Sequence, residues 1–162
     1  MQLKRDEFFE NVKLIDLLAE ITNSFKEISN KKFSVKSENN KHDLLIKRKV
    51  EITYGLRNFI GNASKFSDSL IEVKLESNKY MTKIEICDDG PGFPEDIKKF
   101  LGEPYIHSKD KKIDAKSGLG LGIFIGKTLL ERMKASVNFG TCPTLKGAMV
   151  NIEWETKNLL SI

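Results

Sequence analysis

Cysteine is too scarce here for a disulfide scaffold or a Cys-rich zinc site, since only Cys87 and Cys142 occur in 162 residues. Cys87 falls in an apolar strand pattern and Cys142 in a loop, so both read as reduced thiols rather than a redox pair. No apolar run approaches the ~20 residues that a bilayer span needs. Residues 1–7 are charged and have neither the apolar stretch nor the cleavage site of a signal peptide, which predicts a cytoplasmic chain, or the cytoplasmic part of a membrane-bound protein, without membrane insertion of its own. No charge of one sign dominates. The net charge is +4 and the lysines are scattered among acids, so the footprint of a nucleic-acid binder is missing. Repeats, low-complexity stretches and Pro/Gly/Ser-rich linkers are missing too. With 40% hydrophobic and 31% charged residues, the chain reads as one globular domain. A chain of roughly 150 residues buries about two-thirds of its unfolded surface, enough for a core.

The hydrophobic spacing supplies the elements. Leu14, Leu17, Leu18, Ile21, Phe25 and Ile28 predict an amphipathic helix over 12–29. Residues 33–36 and 44–47 flank a polar turn and read as a hairpin. Ile52, Leu56, Phe59, Ile60 and Ala63 mark a second helix over 49–66. Alternation predicts a strand over 71–75, which turns at 77–79 into another over 80–88. A short helix over 94–101, an aperiodic Lys- and Asp-rich loop over 102–117 and a helix over 119–134 follow. Two strands, 135–140 and 147–155, come last, the second with Ala148, Val150, Ile152 and Trp154 on one face. The order implies an α+β fold, a two-layer α/β sandwich in which helices cover one face of a mixed sheet.

Three groups of residues carry chemistry. In the helix 49–66, Asn58, Asn62 and Lys65 share a stripe within about 60° at 100° per residue. Asparagine is a poor helix former, so two of them four apart need a reason. A pair of amides aimed at a metal or polar ligand supplies one, and a solvated polar stripe supplies another; the stripe alone fits both. The second group is Asp88-Asp89-Gly90-Pro91-Gly92. Period-2 alternation puts Asp88 on the apolar face of Ile84 and Ile86, where a carboxylate must find donors, a ligand amino group among them. Asp89 points the other way and reads as an exposed turn residue. An ordinary Asp-Gly turn accounts for the glycines but not for an inward acid. The third group, Gly118-Leu119-Gly120-Leu121-Gly122, strips side chains from a helix start, where free N–H groups and the helix dipole attract phosphate. A plain turn would waste the entropy of three glycines. The nearby Gly122-Ile123-Phe124-Ile125-Gly126-Lys127-Thr128 is one residue short of a Walker A loop and has an apolar interior, so it reads as helix and core with Lys127 at the surface.

Together these segments resemble the GHKL (Bergerat-fold) ATP-binding domain shared by gyrase, Hsp90, MutL and histidine kinases. Residues 56–66 resemble the N box, 88–92 the G1 box and 118–122 the G2 box; Gly147-Ala148 matches the glycine motif before the last strand. Residues 102–105 and 120–132 are similar to the RegB/PrrB-type sensor histidine kinases. The resemblance implies a catalytic ATP-binding domain over 12–155, with a lead-in over 1–11, an ATP lid over 102–117 and a C-terminal tail over 156–162. It implies ATP and Mg²⁺, with Asn62 as the metal ligand and Asn58 and Lys65 beside the metal and phosphates. Phe66 would stack on adenine and Asp88 would accept its amino hydrogen. Gly90 and Gly92 would line the base pocket, and Gly118, Leu119, Gly120, Leu121 and Gly122 would pass the phosphates. Lys109, Lys111, Lys112 and Lys116 would cover the triphosphate.

Relatives that hydrolyse ATP, and the anti-sigma serine kinases, resemble one another in a Glu four residues before the metal Asn. Here that position is Asn58, no base at pH 7. The implied reaction is therefore transfer of γ-phosphate to a histidine in two-component signalling. His42 and His107 lie in a turn and in the lid, neither in a phosphoacceptor context, so the acceptor is expected on a separate dimerisation domain and the chain is expected to be monomeric. A response regulator is the indirect partner. A nucleotide-binding docking module without kinase activity and a stand-alone anti-sigma serine kinase are the rival readings.

Overall fold

The computed structural model describes residues 10–38, 44–93, 98, 101 and 119–162, with Leu119 described by its backbone alone. The elements are β1 (Asn11–Lys13), α1 (Leu14–Lys26), β2 (Lys32–Ser37), β3 (Leu45–Lys47), α2 (Val50–Phe66), β4 (Leu70–Ser77), β5 (Met81–Asp88), α3 (Leu119–Arg132), β6 (Ser136–Thr141), β7 (Ala148–Glu155) and α4 (Thr156–Leu160). Five strands form one mixed sheet in the order β2-β4-β5-β7-β6. β2 runs parallel to β4, and the other neighbours are antiparallel.

Alternation fixes which side of the sheet is covered. Ile71, Val73 and Leu75 of β4, Ile84 and Ile86 of β5 and Val150, Ile152 and Trp154 of β7 are buried against the helices. They meet Leu14, Leu17, Leu18 and Ile21 of α1 and Ile52, Leu56, Phe59, Ile60 and Ala63 of α2 in one core. The intervening residues of β4 and β5 face away from the helices and carry ion pairs, Lys74 to Glu72 at 3.4 Å and Lys83 to Glu85 at 3.8 Å. Trp154, 1% exposed, donates its indole N–H to the Met133 carbonyl at 3.0 Å and so ties β7 to the end of α3.

The expected hairpin of 33–36 with 44–47 is not formed. β2 pairs with β4, and β3 pairs with β1 in a separate two-stranded sheet. Both segments are short apolar runs, and partner choice was decided by burial: Phe33 and Val35 stand opposite Ile71 and Val73 over the core. Within residues 156–162 lies α4, whose Leu159 is buried. Thr156 fastens α4 to the β4–β5 turn through a buried hydroxyl chain, Ser77 Oγ to Thr82 Oγ1 at 2.8 Å and Thr82 Oγ1 to Thr156 Oγ1 at 2.9 Å, ending on the Asn78 carbonyl at 2.8 Å. A five-residue helix is too short to leave a periodic signal. Of the lead-in over 1–11 only Glu10 and Asn11 are described, and Asn11 opens β1. The short helix over 94–101 (save Lys98 and Leu101), the lid over 102–117, His42 and His107 lie outside the described residues.

Candidate functional site

Helices α2 and α3 cross at glycine contacts. A Cβ on Gly55 would stand 2.6 Å from Leu130 Cγ, and one on Gly126 2.9 Å from the Phe59 ring. At these points the helices are too close for any side chain. Gly122 faces Asn62 less tightly, since a Cβ there would lie 3.3 Å from both Nδ2 and Oδ1 of the Asn62 amide. Asn62 Nδ2 is buried with no hydrogen-bond partner among the described residues. An unpaired buried polar group costs about 1–3 kcal/mol. Asn62 is half-buried, with its Nδ2 shielded from solvent. Asn58 is half-buried too, but it donates Nδ2 to the Tyr54 carbonyl one turn back at 2.8 Å.

Asp88 closes the inner face of β5 and is 4% exposed. Its Oδ1 accepts the N–H of Gly90 at 2.9 Å and of Ala148 at 3.2 Å. Burial pushes its carboxyl above the ordinary range, and those two N–H groups only partly oppose the rise. Gly147 is required beside it, because a Cβ there would lie 2.3 Å from Asp88 Oδ1. Gly92, at φ +81°, passes close to Gly147 in a backbone conformation that favours glycine.

Asp89 corrects the expectation of an exposed turn residue. Its Oδ1 accepts the backbone N–H of Asp68, Ser69 and Leu70 at 3.0, 2.9 and 3.0 Å, and its Oδ2 the Ser69 hydroxyl at 2.8 Å. Partial burial works against ionisation, yet these four donors outweigh it and hold the carboxyl at about 2. The signal missed in the sequence was Ser67-Asp68-Ser69, a polar link whose N–H groups need an acceptor from elsewhere.

Lys65 and Phe66 end α2. The Lys65 ammonium stands 5.3 Å from the centroid of the Phe66 ring. Lys65 also lines a cleft of about 550 Å³ with Phe25, Ile28, Lys31 and Asp68, on the side where α1 packs. Phe66 is half-buried against the core. A Cβ on Gly90 would lie 2.2 Å from the Phe66 carbonyl oxygen, so the end of α2 and the turn after β5 are in contact. Gly122, Asn62, Phe66, Gly90 and Asp88 thus form an unbroken chain of neighbours, with Phe66 one helical turn beyond Asn62.

The glycine-rich helix start is described from Leu119 onward. Gly120 is buried, Leu121 is 49% exposed, and Gly118 lies outside the described residues. Lys127 is half-buried and pairs with Glu131 one turn on at 3.2 Å. Both cysteines are buried and free. Among the described residues no group of three His, Cys, Asp or Glu side chains is placed to hold a metal. Asn62 offers an amide oxygen, since a half-turn of its amide exchanges oxygen and nitrogen. One such oxygen fits a hard cation that keeps several waters and takes further oxygens from a phosphate.

Residues 48–158 match the family model described as histidine kinase-, DNA gyrase B- and HSP90-like ATPase. The chain is 32% identical over 133 residues to the sensor histidine kinase RegB of Cereibacter sphaeroides, which covers 73% of this chain and 29% of RegB. It is 38% identical over 76 residues to the sensor protein KdpD of Clostridium acetobutylicum, 46% of this chain and 8% of KdpD. The chain therefore spans less than a third of the curated relatives it matches. Among solved structures, the catalytic domain of the histidine kinase ThkA superposes with a TM-score of 0.72 at 20% identity, covering 91% of this chain and 97% of that one. The ATP-binding domain of PrrB from Mycobacterium tuberculosis superposes at 0.67 and 19% identity, covering 90% and 95%.

Proposed function

The chain belongs to the histidine kinase-, DNA gyrase B- and HSP90-like ATPases, and from that premise we propose that it binds Mg·ATP and delivers the γ-phosphate to a histidine on a separate helical domain. The observation that carries this reading is Asn62 Nδ2, shielded against Gly122 with no partner among the described residues, one turn from the junction of Phe66, Gly90 and Asp88. An amide nitrogen without a partner among the described residues is unfavourable in a helix, where alanine is more stable, and a ligand gives Asn62 a reason to be there.

In this reading Asp88 receives the amino group of adenine. Its Oδ1 is already held by two backbone N–H groups, which leaves Oδ2 to accept from a base. Phe66 and Gly90 form the adjoining wall of the base pocket, with Gly92 beside Gly147 behind it. Asn62 would hold the cation through its amide oxygen, Asn58 stands one turn before it, and Lys65 adds positive charge at the end of α2. The start of α3 (Leu119, Gly120, Leu121 and Gly122, preceded by Gly118) offers its N–H groups to the phosphates. Bound Mg²⁺ would supply neutralisation of the triphosphate charge. The remaining work is positioning, which suits phosphoryl transfer because the attacking imidazole already has a lone pair. Asn58 lends no base, and its Nδ2 is engaged with the helix, which separates this site from serine kinases and hydrolases of the same fold. Among the described residues no helix is long and apolar enough to cross a membrane. We place the domain in the cytoplasm, acting on a dimerisation domain that in turn serves a response regulator.

The test is calorimetric titration with ATP, with and without Mg²⁺, followed by incubation with a histidine phosphoacceptor domain and labelled ATP. The expected result is Mg²⁺-dependent binding and acid-labile label on the acceptor. Tight binding with no transfer at full occupancy would select the docking-module reading, and no binding would overturn the site.

A further inference from the structure

We propose that Lys31 and Asp89 are positioning residues for the nucleotide: one holding carbonyls and the other amides where α2 passes into β4, they fix Lys65 and Phe66 relative to Asp88. The proposal rests on the ATP-site reading above, but neither residue belongs to the set that this reading places against nucleotide.

Lys31 lies before β2, far from α2 in sequence. Its Nζ donates to the Ser64 and Ser67 carbonyls at 2.6 Å each and to the Lys65 carbonyl at 3.4 Å. Ser64 and Lys65 carry final carbonyls of α2, which have no partners within the helix and bear its negative end. A cation there replaces the missing N–H groups. Asp89 does the converse, taking the N–H groups of Asp68, Ser69 and Leu70. Its own N–H donates back to the Leu70 carbonyl at 3.2 Å. One short loop is therefore gripped by a cation on its carbonyls and an anion on its amides.

That grip bears on the site because of what each end is attached to. Asp89 sits between Asp88 and Gly90. Gly90 abuts the Phe66 carbonyl so closely that no Cβ would fit. A shift of the loop moves the Phe66 backbone along Gly90, and with it the place of Phe66 relative to Asp88. A lysine serving stability alone could cap any helix end; this one caps the end that carries two residues of the pocket. The two charges also act oppositely on Asp88, Lys31 favouring its ionised form and Asp89 opposing it.

The experiment compares the 162-residue chain with Lys31→Met, Lys31→Arg, Asp89→Asn and the Lys31→Met/Asp89→Asn double variant, by titration with ADP and with Mg·ATP well below the melting temperature of each. Lys31→Met is expected to weaken both ADP and Mg·ATP, each by at least roughly tenfold, because Phe66 serves the adenine end common to both. Lys31→Arg is expected to restore most of the loss, since a guanidinium also donates to carbonyls. The double variant is expected to lose no more than the worse single one, as for two residues acting through one element. A purely structural role would lower melting temperatures, leave affinities unchanged and overturn the proposal. If Lys31→Met does not fold, Asp89→Asn decides in its place: its binding must weaken, and parental affinity overturns the proposal. A parent chain that binds no nucleotide would sink both this clamp and the ATP-site reading. A parent that binds, with variants that bind equally well, would sink the clamp alone.

Discussion

Asp88 and Asp89 are chain neighbours whose carboxyls are displaced in opposite directions. Asp88 is raised by burial, whereas Asp89, also opposed by burial, is held at about 2 by four donors. The first closes the inner face of the sheet, and the second takes the N–H groups of the α2–β4 loop.

Acidification should separate the two. The folded pKa of Asp89 is depressed from 3.8, so its stabilising contribution is complete above that value and is lost as pH falls from there through about 2. The folded pKa of Asp88 is raised, so it takes up its proton at higher pH than an ordinary carboxyl, and protonation relieves the native state of a buried charge. Nucleotide affinity is therefore expected to fall on acidification before the fold opens. Titration calorimetry and circular dichroism over the same pH series check this, and coincident loss of both signals would contradict it.

Replacing the acceptor should cost affinity without costing the fold. Asp88→Asn keeps the shape but can present a donor to the adenine amino group, a loss of about 1–3 kcal/mol in binding. Equal affinity of the variant and the parent for ATP, measured by calorimetry, would remove Asp88 from the pocket.

Asn62→Ala is expected to be at least as stable as the parent. The amide has no hydrogen bond to lose among the described residues, and alanine is the better helix former by up to ~0.7 kcal/mol. Mg²⁺-dependent ATP binding should nevertheless vanish. Thermal melting alongside titration tests the pair of outcomes, and a large fall in melting temperature would make the amide structural.

Two glycines of one helix should respond differently to alanine. At Gly126 the new Cβ meets the buried Phe59 ring at 2.9 Å, and overpacking of this kind costs about 1–3 kcal/mol. At Gly122 it meets only the Asn62 amide at 3.3 Å, and a helical propensity gain of up to ~1 kcal/mol offsets the contact. Gly126→Ala is expected to lower the denaturation midpoint, whereas Gly122→Ala should hold it and lose Mg²⁺-dependent binding. Equal denaturation midpoints for the two variants would show that the α2–α3 spacing is softer than the contacts imply.

Much of this molecule was legible in periodicity. The spacing of Ile52, Leu56, Phe59 and Ile60 defined α2 nearly to the residue, and alternation along β4, β5 and β7 identified the buried faces and placed Asp88 on one of them. These features are local, because a helix or strand repeats on a fixed step and its apolar face is written in its own residues. Partner choice is not local. Nothing in Phe33 or Val35 says that β2 will lie parallel to β4, since that depends on which strand leaves the core covered. Nor could the sequence reveal that Lys31 would reach the end of α2, or that Asp89 would collect amides from residues some twenty positions earlier. Unpaired carbonyls and N–H groups at an element's ends accept any donor or acceptor the fold brings near, and only the packed chain decides which one arrives.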